Sequence, residues 1–161
     1  MIHKQITKLL FLLAIFGVGC TVNSNTQTLD KKISFEGLEF KMPAISEPVI
    51  PDYTVSVTDF GAVNGGEVLN TQAFSDAINA VSEKGGGKVV IPAGVWLVGP
   101  IILKSNLELH AESGALIVFS DNKELYPLIR TNFEGLDTWR CLSPIYGKEI
   151  ENVAFTGKGV W

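Results

Sequence analysis

The stretch that decides the fold is GGGKVVIPAGVWLVGP, residues 85–100. It begins with three glycines, carries a single charge at Lys88 and has Pro92-Ala93-Gly94 near its centre. Residues 89–91 and 95–98, on either side of that centre, are rich in β-branched and aromatic side chains, which favour strands. Proline and glycine between them favour a turn. The stretch therefore predicts two short strands joined by a tight corner, with a further corner at its end.

Similar short apolar segments continue toward the C-terminus. Most are three to five residues long and are separated by Gly, Pro, Asn or Ser. Between them there is no helical segment of the length that a βαβ crossover needs, so the pattern argues against a doubly wound sheet. The predicted strands are residues 89–91, 95–98, 101–103, 107–109, 115–119 and 153–155.

A weak internal repeat distinguishes among the remaining β architectures. NLELHAESGALI, which starts at Asn106, aligns with NVAFTGKGVW, which starts at Asn152. The two asparagines are 46 positions apart, which is twice 23. Repeats of roughly 20–50 residues that are built from short strands are typical of solenoids. The sequence therefore predicts an all-β parallel β-helix rather than a sandwich, with Asn106 and Asn152 stacked at its turns.

One clear helix precedes these strands. NTQAFSDAINAVSEKGGG, residues 70–87, places its apolar residues on one face at steps of three and four. Asn70 or Thr71 is expected to cap its N-terminus through a side-chain oxygen, and the glycines at residues 85–87 are expected to end it. An open end of a β-helix exposes strand edges and apolar core, so this amphipathic helix is predicted to cap the first coil. A strand is expected at residues 53–57.

Composition limits the classes of function. The 161 residues are 46% hydrophobic and 19% charged, as in globular proteins, and the net charge of −4 gives no electrostatic support for nucleic-acid binding. The two histidines, His3 and His110, and the two cysteines, Cys20 and Cys141, form no cluster of metal-ligand spacing. We therefore expect no metal, no other cofactor and no nucleic-acid partner.

The first 20 residues, MIHKQITKLLFLLAIFGVGC, differ in kind from the rest. The segment has two basic residues, Lys4 and Lys8, followed by a short apolar run and then by small residues before Cys20. This order is typical of a secretory signal peptide. The apolar run is shorter than the roughly 20 residues that span a bilayer. Residues 17–20, GVGC, resemble a bacterial lipobox, with Gly17 where that pattern prefers leucine, so Cys20 is the expected lipid-attachment site. Plain secretion and a buried apolar cysteine are the alternatives.

The expected domain organisation follows from these features. Residues 1–20 are a signal peptide of the lipoprotein type, and residues 21–52 are a polar tether and an extended connector with a hairpin-like element at residues 33–40. Residues 53–161 are the β-helix. The protein is then exported, either to the periplasm or as an outer-membrane-attached lipoprotein of a Gram-negative bacterium, and its one membrane contact is the lipid anchor at Cys20.

Several motifs of residues 53–161 are similar to the N-terminal part of a known family. They include VTDFGAV, LNTQAFSDAINAVSEKGGGKVVIPAGVWLVGP and SPIYGKEIENVAFTGKGVW. These motifs resemble glycoside hydrolase family 28, the polygalacturonases; a departure is Asn64-Gly65-Gly66, where the family usually shows Gly-Asp-Gly. The resemblance implies a right-handed, pectin-lyase-like parallel β-helix, of which this chain holds only the first coils. It also implies that the substrate is pectin, whose α-1,4-galacturonosyl bonds are hydrolysed with inversion.

The catalytic motifs of the family are Asn-Thr-Asp, Asp-Asp, Gly-His-Gly and Arg-x-Lys, and none of them occurs in the 161 residues. The chain is therefore expected to be the N-terminal portion of an exported glycoside hydrolase, with no catalytic residues of its own and no activity alone. Two alternatives stay open. One is a pectate lyase-like β-helix that uses Ca²⁺ and an arginine base, and the other is a non-catalytic β-helix that binds carbohydrate or acts as an adhesin.

The candidate substrate contacts lie in TNFEGLDTWRC, residues 131–141, which is expected to be a loop. Trp139 and Arg140 are adjacent there, close to Glu134 and Asp137. An aromatic ring can stack on a pyranose while a guanidinium pairs with the sugar carboxylate. The resemblance implies that this loop lies near the substrate cleft. In the alternative, Trp139 packs under the loop and Arg140 pairs locally.

Four other carboxylates are expected to be solvated rather than catalytic. They are Asp121 and Glu124, in a loop, and Glu149 and Glu151, on one face of a strand.

Overall fold

The computed structural model describes residues 47–161. The expected signal peptide, Cys20 and the hairpin-like element at residues 33–40 lie outside the described residues. Within residues 47–161 the chain consists mostly of short strands, with one α-helix and two 3₁₀ helices. In chain order the elements are β1 (Thr54–Ser56), a 3₁₀ helix (Val57–Phe60), α1 (Thr71–Glu83), β2 (Gly87–Ile91), β3 (Gly94–Val98), β4 (Ile101–Ile102), β5 (Leu107–Ala111), β6 (Ala115–Phe119), a 3₁₀ helix (Lys123–Leu125), β7 (Leu128–Phe133), β8 (Leu136–Cys141), β9 (Ile145–Tyr146) and β10 (Val153–Gly157).

Strands from successive coils of the chain stack in parallel and form three sheets. The first sheet has the order β1-β2-β5-β10, the second pairs β3 with β6, and the third pairs β4 with β9. Isolated bridges from Leu69 to Leu97 and from Leu116 to Val160 add a row to each side of the second sheet. Because the two central coils, β2-β3-β4 and β5-β6-β9, each give one strand to each sheet, the parallel β-helix predicted from the short strands is confirmed.

The repeat length predicted from the asparagines is wrong. Gly87 pairs with Leu107, and Leu107 pairs with Val153, so one coil advances the chain by 20 residues and the next by 46. Asn106 and Asn152 therefore lie in adjacent coils, not two coils apart. The spacing doubles because a hairpin and its flanking segments are inserted between β6 and β9.

The predicted stacking of the asparagines is confirmed. Asn106 and Asn152 both adopt a left-handed backbone conformation, with φ of 58° and 55°, directly before β5 and β10. Asn152 Nδ2 donates to Asn106 Oδ1 at 2.9 Å, and Asn106 Nδ2 donates to the carbonyl oxygen of Gly85 at 3.1 Å. The side chains therefore link three neighbouring coils at one corner. Asparagine suits this corner because it tolerates the left-handed backbone conformation better than most residues.

The hydrophobic core lies inside the coils. Alternate residues of β2 and β5 are fully buried, as expected for strands with one face turned inward. Trp96 of β3 is 2% exposed, and its indole N–H donates to the carbonyl oxygen of Pro92 at 2.8 Å. The buried side chains of the coils are Val89, Ile91, Trp96, Val98, Ile101, Leu107, Leu109, Ala111, Ala115 and Ile117.

The predicted helix is present as α1, and it packs against the first 3₁₀ helix and against β1, β2 and β4. Its N-terminus differs from the prediction. Asn70 is at the N-cap position but makes no capping bond; it is 2% exposed, and its amide bonds the backbone of Val63 and Val68. Thr71 Oγ1 accepts from the N–H of Gly99. Both side chains therefore hold neighbouring loops rather than the first turn of the helix.

The C-terminus of α1 ends at the glycines, as predicted. The N–H groups of Gly85 and Gly86 donate to the carbonyl oxygens of Ser82 and Val81 at 2.9 and 3.0 Å. This pair of bonds is the Schellman motif, which satisfies carbonyls that the helix itself leaves unpaired. None of the helices within residues 47–161 is long and apolar enough to cross a membrane.

Candidate functional site

The segment that the sequence predicts to be a loop is an antiparallel hairpin. β7 and β8 pair from Leu128 with Cys141 to Phe133 with Leu136. The two residues between the strands, Glu134 and Gly135, have φ of 51° and 86°, as a type I′ turn requires. The loop prediction is therefore wrong. Two six-residue segments separated by Glu-Gly were the signal that could have revealed the hairpin.

The hairpin projects from the coils and is largely self-contained. Its two strands contact each other much more than they contact any other element. At its base, the N–H of Leu142 donates to the carbonyl oxygen of Pro127, and the Leu142 side chain is buried. Nearby, the Tyr126 hydroxyl donates to the carbonyl oxygen of Ser120 at 2.7 Å. Burial of Tyr126, with the negative charge of Asp121, raises its pKa.

One face of the hairpin is open and carries both an aromatic and an ion pair. Arg130 is directly opposite Trp139 in the strand pairing, so their side chains leave the hairpin on the same face. Trp139 is 66% exposed. Arg130 Nη2 donates to Asp137 Oδ2 at 2.9 Å, and Asp137 is two residues from Trp139 on the same strand face. An indole ring and a guanidinium that is paired with a carboxylate therefore lie on the same face of the hairpin, both exposed to solvent.

Arg140 lies on the other face. Its guanidinium carbon is 4.3 Å from the centre of the Phe133 ring, a cation–π contact. Consecutive residues of a strand point to opposite faces, so one sugar ring cannot stack on Trp139 and pair with Arg140 while the hairpin keeps this form. The sequence neighbours Trp139 and Arg140 are thus separated, and Arg130, which the sequence did not single out, takes the place beside Trp139.

The other carboxylates lie apart from the open face. Asp121 and Glu124 are exposed near the second 3₁₀ helix, and Glu134 is at the hairpin turn. Glu149 and Glu151 do not share a strand face as predicted, because both lie in the connection between β9 and β10. Within residues 47–161 no group of three or more His, Cys, Asp or Glu residues is arranged to hold a metal ion.

A second polar cluster lies on the outer face of the first sheet. Lys88 Nζ is 3.1 Å from Glu108 Oε1, and the Thr156 hydroxyl donates to the same oxygen at 2.7 Å. His110 Nδ1 is 2.6 Å from Thr156 Oγ1. Burial raises the pKa of Glu108, but the hydrogen bonds from Thr156 and Lys88 and the charges of Lys88 and His110 together place that pKa below its ordinary value. The cluster joins β2, β5 and β10, which fits a role in coil pairing.

The parallel coils and the inserted hairpin define the class of protein: a parallel β-helix that exposes polar and aromatic side chains on an insertion between its strands. Residues 54–125 match the family described as rhamnogalacturonase A/epimerase, pectate lyase-like. This match covers β1 to the second 3₁₀ helix and stops before the hairpin.

The sequence and the fold are also similar to individual polygalacturonases. The chain is 34% identical over 113 residues to a probable polygalacturonase of Vitis vinifera, an alignment that covers 65% of this chain and 23% of the relative. It is 42% identical, with a TM-score of 0.67, to the crystal structure of a hyperthermoactive exopolygalacturonase from Thermotoga maritima, over 71% of this chain and 26% of that one. The family 28 exopolygalacturonase of Yersinia enterocolitica matches at 33% identity and a TM-score of 0.60, over 66% of this chain and 20% of that one.

The resemblance to the polygalacturonases that the sequence motifs indicated is therefore confirmed. The chain spans about a quarter of the length of these relatives.

Proposed function

We propose that this chain forms the first coils of an exported glycoside hydrolase that cleaves the α-1,4-galacturonosyl bonds of pectin with inversion. The observation that carries the proposal is the 42% identity to the Thermotoga maritima exopolygalacturonase over 71% of the chain, with a matching fold. The proposal includes a right-handed sense for the coils. It also includes α1 as the cap of the first coil, because α1 packs directly against β1 and β2 at that end.

The proposed reaction needs residues that this chain does not supply. Inversion uses one carboxylic acid to protonate the leaving oxygen and a second carboxylate, roughly 6.5–9.5 Å away, to activate water. The motifs that would provide these groups in the family are not found in the 161 residues. In this proposal the chain contributes the scaffold and part of the polysaccharide-binding surface, and by itself hydrolyses nothing.

Trp139 and Arg140 are proposed as substrate contacts, each on its own face of the hairpin. Trp139 is the stronger of the two because its ring is open to solvent, whereas the Arg140 guanidinium already lies over Phe133. Aromatic rings that are large and exposed beside polar groups are well suited to stack on sugars.

The proposed route to the substrate uses the N-terminal segment. Residues 1–20 would direct export, Cys20 would carry the lipid, and residues 21–52 would connect the anchor to the β-helix, which begins near residue 53. The protein would then reside in the periplasm or on the outer membrane of a Gram-negative bacterium. Cys20→Ser should release the protein from the membrane fraction; if the variant stays in that fraction, the lipid anchor is wrong.

Hydrolysis of polygalacturonate tests the function. The product of the reading frame extended past Trp161 is expected to release reducing ends whose first-formed anomer is inverted, and the 161-residue chain is expected to release none. Hydrolysis by the 161-residue chain would contradict the assignment of catalysis to residues outside it. An extended product without the four catalytic motifs and without activity would contradict the hydrolase itself.

A pectate lyase-like reaction is the second candidate, because the description of the family matched by residues 54–125 contains the words pectate lyase-like beside rhamnogalacturonase A and epimerase. The two reactions give different products. A lyase leaves an unsaturated sugar that absorbs in the ultraviolet and would depend on Ca²⁺, whereas a hydrolase gives saturated products. Binding of the polysaccharide without either product would indicate the non-catalytic alternative.

A further inference from the structure

We propose that the open face of the β7–β8 hairpin is a subsite for one uronic acid residue, with Trp139 as the stacking surface and Arg130 as the carboxylate partner. The proposal rests on the proposed function for the class of polysaccharide. Its geometry comes from the strand pairing, which places Arg130 and Trp139 directly opposite each other.

The orientation of Arg130 is the first argument. Arg130 donates to Asp137 through Nη2 at 2.9 Å, and Asp137 is its only bonding partner among residues 47–161. A guanidinium has five N–H donors in a planar fork, so most of them remain available. The bond to Asp137 keeps the guanidinium on the same face of the hairpin as the indole.

The nature of the face is the second argument. The ion pair of Arg130 with Asp137 would be costly to bury against an apolar partner, because both charges would lose water. A sugar acid avoids that cost, since its carboxylate can accept from Arg130 and its hydroxyls can donate to the Asp137 carboxylate. The apolar face of the pyranose ring would then cover the indole of Trp139, which is 66% exposed.

The opposite face of the hairpin is less suited to bind a sugar acid. There the aromatic ring is Phe133, and Arg140 already lies over it at 4.3 Å. Ile129, Thr131 and Thr138 on that face are partly buried. The face with Trp139 therefore combines an exposed ring that no cation covers with N–H groups of Arg130 that remain available to a ligand.

Binding of a short oligogalacturonate to the 161-residue chain tests the proposal, with calorimetry for affinity and tryptophan fluorescence as the second readout. Arg130→Gln is expected to weaken binding roughly fivefold, because an ion pair at an exposed position contributes up to about 1 kcal/mol. Arg130→Lys should give an intermediate affinity, since it keeps the charge but loses the fork. Trp139→Ala should weaken binding roughly fivefold.

Two controls make the result specific. Lys148→Gln removes one exposed positive charge outside the hairpin and should leave the affinity unchanged. The methyl-esterified oligosaccharide has no carboxylate for Arg130 to bind. It should therefore bind wild-type protein about as weakly as the acidic oligosaccharide binds Arg130→Gln. Far-ultraviolet circular dichroism of each variant checks that the fold is retained.

Several outcomes would overturn the subsite. These are no binding of the oligogalacturonate, equal affinity of Arg130→Gln and wild type, loss of affinity on Arg140→Gln instead of Arg130→Gln, or a dimer that Trp139→Ala dissociates. Failure of the proposed function gives a different pattern. If the extended product does not hydrolyse galacturonan but binding still depends on Arg130, the subsite stands and the hydrolase does not.

Discussion

The stacked coils and the inserted hairpin differ in how their strands are paired and in how far their side chains are buried. β2 and β5 each have a parallel neighbour on both sides, and their alternate side chains are buried inside the coil. β7 and β8 pair only with each other, in antiparallel fashion, and most of their side chains are exposed. The coils therefore hold the fold together, while the hairpin leaves most of its side chains open to solvent. Binding residues are commonly placed in this way, on insertions fixed to a rigid scaffold.

The glycines of the two regions give the largest expected difference. An added Cβ at Gly87 would lie 2.2 Å from the carbonyl oxygen of Tyr53, and its φ is 147°. The same atom at Gly135, in the hairpin turn, meets nothing within 4 Å. Gly87→Ala is expected to destabilise the protein by about 4 kcal/mol or more, and Gly135→Ala by about 1 kcal/mol. Urea denaturation followed by circular dichroism measures both, and similar values would show that the hairpin is as tightly constrained as the coils.

Two leucines provide the next test. Leu109 of β5 is fully buried, whereas Leu136 of β8 is 73% exposed. Leu109→Ala is expected to lower the free energy of unfolding by about 2–5 kcal/mol, because it leaves a cavity between coils. Leu136→Ala should change it by less than about 0.5 kcal/mol. A large loss for Leu136→Ala would mean that the hairpin packs against something that stabilises the fold.

The ion pairs of the two regions give the smallest difference. Glu108 is 15% exposed in its pair with Lys88, whereas Arg130 and Asp137 are 69% and 66% exposed. The pKa of Glu108 lies below the ordinary value of 4.5. A lowered pKa in the folded state stabilises the protein above the ordinary pKa, and this stabilisation is lost as the pH falls through the folded value.

The corresponding measurement is the free energy of unfolding between neutral and acidic pH. Glu108→Gln should make this dependence on pH flatter by less than about 1 kcal/mol, and Asp137→Asn should change stability at neutral pH by less than about 0.5 kcal/mol. If Glu108→Gln shows the same pH dependence as wild type, the cluster on the first sheet does not stabilise coil pairing.

Much of the coil structure could be predicted from the sequence because its pattern is local. The glycines after α1, the Pro-Ala-Gly corner and the alternation of residues 107–109 each favour a particular local conformation. The hydrogen bonds of the Asn70 side chain could not be predicted in this way, because its partner Val63 is in a loop rather than in the first turn of α1. The predicted repeat length is wrong for a related reason: the sequence does not show where an insertion enters a coil.

The sequence by itself determined the parallel β-helix and its resemblance to the polygalacturonases, because short strands, turn residues and family motifs are all written in consecutive residues. Only the tertiary structure decided which side chains of the hairpin share a face. Trp139 and Arg140 are neighbours in the chain, but strand geometry sends them to opposite faces, and pairing across the turn brings Arg130 beside Trp139 instead.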